Sequence, residues 1–248
     1  MRTHPLQRPV RTGLACLLCA AGPALAGWSP KVHEAQSRLA LRMVPPRLHE
    51  LLKPHQAALL ATARGQANDN PPTVDEVEDQ FRRIVALSEA KASLDRLAAE
   101  LGVLAHQVQL LSDPSATQGV TALREVFEAY TDGRFRDLVL TREPFWAARA
   151  PLDPHPPLLQ LARTKFERHA HLAEHFDAST GRSIGPWDEL SVPYAQMQLA
   201  FSSGVNATAN LWTLLWRAVG DLWLDPRSRD QRNLSAPDPV QPAQDPGP

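Results

Sequence analysis

Glu167, His171 and His175 stand four residues apart, a spacing that places them in one row of a helix with neighbours about 5–6 Å apart. Imidazole and carboxylate are both usual zinc donors, so this row, with His169 and Glu174 beside it, suits a two- or three-ligand contribution to zinc. It equally suits the solvated outer face of a surface helix. His106 is a different case. It lies inside the apolar run Leu101-Gly-Val-Leu-Ala-His106-Gln-Val-Gln-Leu110-Leu-Ser-Asp-Pro114, where Leu101, Leu104, Val108 and Leu111 recur at helical spacing. Such a helix either carries a metal ligand into a core or holds a histidine satisfied by its packing neighbours. His33 follows Trp28 by five residues. An α-amino group and its own carbonyl can chelate a metal when the chain end is held down, and His33 is close enough to join them. His49, His55 and His155 sit beside prolines or charged residues and read as solvated.

The elements that must position these groups are helical almost throughout, so the expected fold class is all-α, a multi-helix single domain. Lys31 to Met43 has Val32, Leu39 and Met43 on one side and stops before Pro45-Pro46. Residues 47–64 give two short amphipathic pieces divided at Pro54, and 65–72 is a loop. Thr73-Val-Asp-Glu76 has capping-box spacing ahead of a helix with Val77, Phe81, Ile84 and Val85 inward. Ser93 is a second N-cap, opening the helix that holds His106. Thr121–Tyr130 reads as a helix with a turn at Asp132-Gly133. The next runs from about Leu158 to Phe176, behind a Pro-rich stretch, and Val192–Trp223 is a long hydrophobic helix packing through Leu211, Trp212, Leu215, Trp216 and Val219. No stretch alternates with period two, so no strand is expected, and no internal repeat is present.

The ends read differently. Arg2, Arg8 and Arg11 precede an apolar stretch from Gly13 to Ala21, and Ala24-Leu-Ala26 has the small-x-small cleavage pattern, so residues 1–26 read as a secretory signal peptide. The expected localisation is therefore exported, periplasmic or secreted. Cleavage would remove three arginines and no acids, taking the formal charge from -1 to -4, and would remove Cys16 and Cys19 with them. That excludes disulfide and thiol chemistry from the mature chain. A mildly acidic protein has no general attraction to nucleic acid or anionic lipid, and no later run is long enough to be a transmembrane segment. Residues 27–224 form the expected helical domain; the tail 225–248, with six prolines, reads as disordered. Nothing in the sequence sets the oligomeric state.

Three features together resemble the zinc-dependent phospholipase C and single-strand-specific nuclease superfamily: Trp28 followed by His33 at the start of the mature chain, Leu-Gly-Val-Leu-Ala-His106 with its downstream Pro114, and the terminal helix from Val205 to Gly220. The resemblance covers nearly the whole mature chain. It implies a phospholipase C/nuclease-like helical fold around three zinc ions, held by the amino and carbonyl groups of an N-terminal Trp and by His, Asp and Glu side chains, which activate water against a phosphoester. Trp28, His33 and His106 match that pattern, and Asp69 lies in the loop of the family's early aspartate. The family's His-x3-Asp-x5-His has Leu110 and Ala116 at its second and third positions here. No histidine stands between His55 and His106, and the later His-x3-Glu aligns on Arg163-Thr-Lys-Phe-Glu167. Cleavage after Ala26 would leave Gly27, not Trp28, as the free end; cleavage after Gly27 would restore Trp28.

These departures imply a degenerate centre with reduced or no zinc, drawn from Trp28, His33, Asp69, His106, Glu167 and His171, in a protein with a binding or structural role or an altered hydrolysis. The implied partner is a phosphate-ester small molecule or a lipid headgroup. The alternative is an active zinc phosphoesterase with replacement ligands from His169, His171, Glu174 and His175. A third reading is a helical interaction domain with no metal history.

Overall fold

The computed structural model describes residues 28–65, 71–116, 121–143, 147 and 151–224. The expected leader, the Pro-rich tail and Asp69 lie outside them. Helix α1 (Pro30–Leu41) starts where Ser29 is extended and Pro30 takes the first position, where its missing N–H is no loss. Helix α2 (Pro46–Leu52) leads through a 3-10 turn (Lys53–His55) into α3 (Gln56–Ala63). The capping box forms in full: the Thr73 hydroxyl accepts from the Glu76 amide, the Glu76 carboxylate accepts from the Thr73 amide, and α4 runs Val74–Glu89. Ser93 caps α5 (Leu94–Ser112) by accepting from the Arg96 amide. Helices α6 (Thr121–Arg134), α7 (His155–Ala173) and α8 (Val192–Val219) complete the bundle.

Helix α5 is the axis. It touches α1, α3, α4, α7 and α8, and Leu101, Leu104, Val108 and Leu111 are all buried on it. Each such side chain contributes about 1.5–3 kcal/mol by leaving water. Gly102 lets α3 close in: a Cβ there would stand 2.1 Å from the Leu59 carbonyl oxygen, and the Thr62 hydroxyl donates across the same gap to the Ala99 carbonyl (2.6 Å). Helix α8 crosses α5 with Trp212 fully buried, its indole N–H donating to the Leu101 carbonyl (3.2 Å). Trp223 fastens the far end of α8 to α4 by donating to the Ser88 hydroxyl (2.7 Å).

Several boundaries differ from expectation. Helix α6 continues through Asp132-Gly133 to Arg134: the Thr131 hydroxyl satisfies the Phe127 carbonyl, and the Phe135 amide extends the ladder to Thr131. A surface glycine there weakens a helix by about 1 kcal/mol, too little to end it. Helix α7 opens at His155, not Leu158, because Pro156 and Pro157 fall in the first turn, where prolines are tolerated. It ends at Ala173. A two-residue hairpin follows, β1 (Phe176–Asp177) antiparallel to β2 (Arg182–Ser183), although no strand was expected. Alternation plays no part in it. The Asp177 carboxylate gathers the Ser179 and Thr180 hydroxyls and amides, and Gly181 takes the left-handed φ of 68° that closes the turn. Helix α8 gives way at Gly220 to a 3-10 turn (Gly220–Leu222). Val85 and Trp216 are half-buried, not core. Among the described residues, no helix is long and apolar enough to cross a membrane.

Thr73→Ala removes one half of the capping box and leaves the Glu76 amide without its acceptor. A loss of about 1 kcal/mol in urea-unfolding free energy is expected.

Candidate functional site

Helices α1 and α5 meet through a polar seam inside an apolar bundle. Gln109, fully buried on α5, is its hub. Its side-chain amide donates to the Ser37 hydroxyl on α1 (2.9 Å), which leaves its carbonyl oxygen to accept from His33 Nδ1 (2.7 Å). The Trp28 indole donates to the Gln109 backbone carbonyl (3.2 Å), and the Ser112 hydroxyl donates to the same oxygen (2.8 Å). Because the atom facing Nδ1 is the Gln109 carbonyl oxygen, which only accepts, His33 carries its proton on Nδ1. Its Nε2 is then a buried lone pair, with no hydrogen-bond partner among the described residues.

His106 stands one turn earlier on α5, its ring centre 4.3 Å from that of His33 and tilted by 55°. Gly65 covers it. A Cβ at Gly65 would lie 2.0 Å from His106 Cε1, and Gly65 holds a left-handed φ of 66°. Two side chains hold that lid in place. Arg64 at the end of α3 pairs with Glu34 on α1 (2.7 Å), and Glu34 also binds Arg38 (2.7 Å). These contacts to Arg38 and Arg64 keep the Glu34 carboxyl below its ordinary value.

The seam rejects charge. Burial, then the neighbouring His106, pushes His33 from 6.5 down to about 3, against the smaller opposing effect of its bond to Gln109. A neutral imidazole is therefore the resident species at any physiological pH.

Ionisable groups collect beyond the end of α5. Asp113 is completely buried; its Oδ1 accepts from the Ser115 amide and hydroxyl (2.8 Å each). Burial nonetheless pushes its pKa up. Lys165 on α7 faces it, donating to the Leu110 carbonyl (3.4 Å), and its own pKa is drawn down, by burial first. Glu128 on α6 is raised to about 7 by burial and by Asp132 and Asp113. Leu110 and Ala116 are both buried here and offer no donor. An apolar cavity of about 410 Å³ opens alongside, walled by Leu111, Ala116, Ala162 and Phe166, with Lys165 in its lining.

The structure thus brings together Trp28, His33 and His106, with Gln109 between them. Glu167 and His171 are exposed on the outer side of α7, and they form no group of three donors with His33 and His106. His169 is half-buried, its Nδ1 against the Pro114 carbonyl (2.8 Å). His55 and His155 bind acids, Asp95 (2.6 Å) and Glu78 respectively, and so tie elements together. Among the described residues, the one group of three potential metal donors is Asp75, Glu78 and His155. It sits where α4 and α7 both begin, and the partial positive charge of two helix N-termini favours its carboxylates and opposes a cation. Gln109, Asp113, Lys165 and Gly65 escaped the sequence reading. Gln109 carried a faint signal, a polar residue three positions after His106 in an apolar run. No known protein family, curated protein or solved structure matches this chain.

Two outcomes follow from this geometry. Gly65→Ala, which meets both a positive φ and the His106 ring, should lower stability by roughly 2–4 kcal/mol. The second concerns pH. Unfolded chains take up a proton at His33 near 6.5 and the folded chain does not until about 3, so this group makes stability fall as pH drops, by about 1.4 kcal/mol per unit. Glu128 acts oppositely between 4.5 and 7, because its folded form holds the proton more tightly. The two offset each other between about 4.5 and 6.5, and stability should fall steeply only below 4.5. In Glu128→Gln the decline should begin near 6.5, as read from urea midpoints between pH 4 and 8.

Proposed function

We propose that this chain is an exported, phospholipase C/nuclease-like helical protein with a degenerate metal centre, which binds a phosphate ester or a lipid headgroup without hydrolysing it. The observation that carries this reading is the end of α5. Leu110 and Ala116 are buried where a carboxylate and an imidazole would be needed, and the cation nearby is the protein's own, Lys165.

The remaining donors suit one zinc ion at most. His33 Nε2 is a lone pair oriented by a bond on the other ring nitrogen, the usual preparation of a ligating histidine, and His106 is beside it. Bound there, a zinc ion would act as a Lewis acid toward a phosphate oxygen. Charge opposes more than this. Surroundings that push His33 down to about 3 disfavour even one added proton, and a cluster of dications would need several carboxylates. Among the described residues none joins the two imidazoles in a donor group, so these residues do not fit a three-zinc cluster and place no base beside the two imidazoles for an attacking water.

Binding needs less. The apolar cavity beside Ala116 and Phe166, with Lys165 in its lining, suits a molecule with an apolar body and one anionic end. The test is metal analysis of protein purified without chelator, with phosphodiester and phosphomonoester assays. No more than one zinc per chain is expected, with turnover indistinguishable from that of His106→Ala. About three zinc ions per chain, with activity abolished by His106→Ala, would overturn the proposal.

A further inference from the structure

A second cavity, of about 250 Å³, lies between α7 and α8, with Glu143 at its edge. Helix α8 holds the backbone at that edge in place. Ser202, Asn206 and Asn210 follow each other at four-residue spacing and are buried polar groups in a hydrophobic helix. All three hold the backbone of Thr141, Glu143 or Ala147. The Ser202 hydroxyl accepts from the Thr141 amide (3.1 Å), and the Asn206 side chain accepts from the Glu143 amide (3.3 Å) while donating to the Thr141 carbonyl (2.8 Å). Asn210 accepts from the Ala147 amide (3.0 Å). This ladder fixes the backbone at Thr141 and Glu143 and brings the Glu143 carboxylate to Ser203.

The Ser203 hydroxyl donates to Glu143 Oε1 (3.0 Å) and accepts from Arg168 Nη2 (3.0 Å). A guanidinium and a carboxylate therefore face the same cavity, separated by one hydroxyl and no more than about 6 Å. Arg168 Nη1 is buried with no hydrogen-bond partner among the described residues, and burial draws the guanidinium pKa down against the attraction of Glu143 and Glu167. The rest of the lining is largely apolar, with Leu158 and Leu161 from α7 and Leu211 from α8. Glu143 is exposed, so its end of the cavity opens to solvent.

We infer that this cavity binds a free apolar α-amino acid in its zwitterionic form. The carboxylate bonds to Arg168, where a planar fork meets a planar acceptor; the ammonium bonds to Glu143; the side chain lies on Leu158, Leu161 and Leu211. A plain anion would meet the Glu143 carboxylate, and a doubly charged phosphate would meet it at greater disadvantage. A plain amine would meet Arg168. Only a molecule with both charges on adjacent groups satisfies the pair, and the small volume restricts the site to something below drug size. The inference is independent of the metal reading.

Calorimetry on the full chain with L-leucine and L-phenylalanine tests it. Saturable one-site binding of at least one is expected. Leucinamide, which lacks the carboxylate, and 4-methylpentanoate, which lacks the ammonium, should each bind at least tenfold more weakly than L-leucine, as the corresponding analogues should for L-phenylalanine. Arg168→Gln should weaken amino-acid binding at least tenfold. Glu143→Gln, at an exposed position, should weaken the amino acid while leaving 4-methylpentanoate unchanged or tighter, an exchange of preference that a merely structural role would not produce. No saturable binding of either amino acid, equal affinity for amino acid and analogues, or no exchange in Glu143→Gln would overturn the inference.

Discussion

Gln109 has one side-chain acceptor and one amide nitrogen, and in a fully buried seam both are spoken for, the nitrogen by Ser37 and the oxygen by His33. That assignment constrains what surrounds it. It fixes the His33 tautomer, binds α1 to α5 along two consecutive turns, and fixes the backbone carbonyl on which the Trp28 indole is anchored. A buried polar group left without its partner costs about 1–3 kcal/mol, so no member of the chain can be exchanged singly without loss. The apolar packing of α5 supplies most of the stability. The Gln109 network sets the register in which α1 is held against it.

Charge is sorted along the same helix. At the His33 and His106 turn the surroundings are dry enough to hold an imidazole neutral well below its ordinary pKa. Beyond Leu110 the helix ends among Asp113, Glu128 and Lys165, where opposite charges temper one another without neutralising the effect of burial. Between the two lies a turn without an ionisable group, where Val108 and Leu110 are buried and Gln109 is neutral. A metal cluster spanning this length would need carboxylates in that turn, and leucine occupies the place. Lys165 brings a single positive charge to the region, which suits holding an anion and does nothing to activate water.

Much of this architecture was legible in the sequence, and the reasons are local. Thr73 with Glu76, and Ser93 ahead of an amphipathic run, announce helix starts because capping depends on residues three apart. The burial of Leu101, Leu104, Val108 and Leu111 follows from spacing alone. The end of α6 was not legible, since Gly133 breaks a helix only when nothing downstream holds it, and the Thr131 and Phe135 bonds do. The site was half legible. His33 and His106 drew attention by type, whereas Glu167 and His171, equally apt by type and spacing, lie on the solvent side of α7. Spacing identifies a face and does not say which neighbour that face meets. Gln109, Gly65 and Lys165 gain their roles only from residues 76, 41 and 55 positions away respectively, a distance across which a single sequence carries no signal.

The sharpest test of the account is the protonation state of His33 itself, because the seam exists only if that ring is neutral and bonded through Nδ1. Nitrogen-resolved NMR of the imidazoles, followed from pH 8 to pH 4.5, reports both facts directly. The account predicts a slowly exchanging proton on His33 Nδ1 and a neutral ring throughout; replacing Gln109 with leucine should abolish the slow exchange while the ring stays neutral, because the bond to Gln109 favours the charged form. A His33 ring that titrates near 6.5, or one that carries its proton on Nε2, would contradict it.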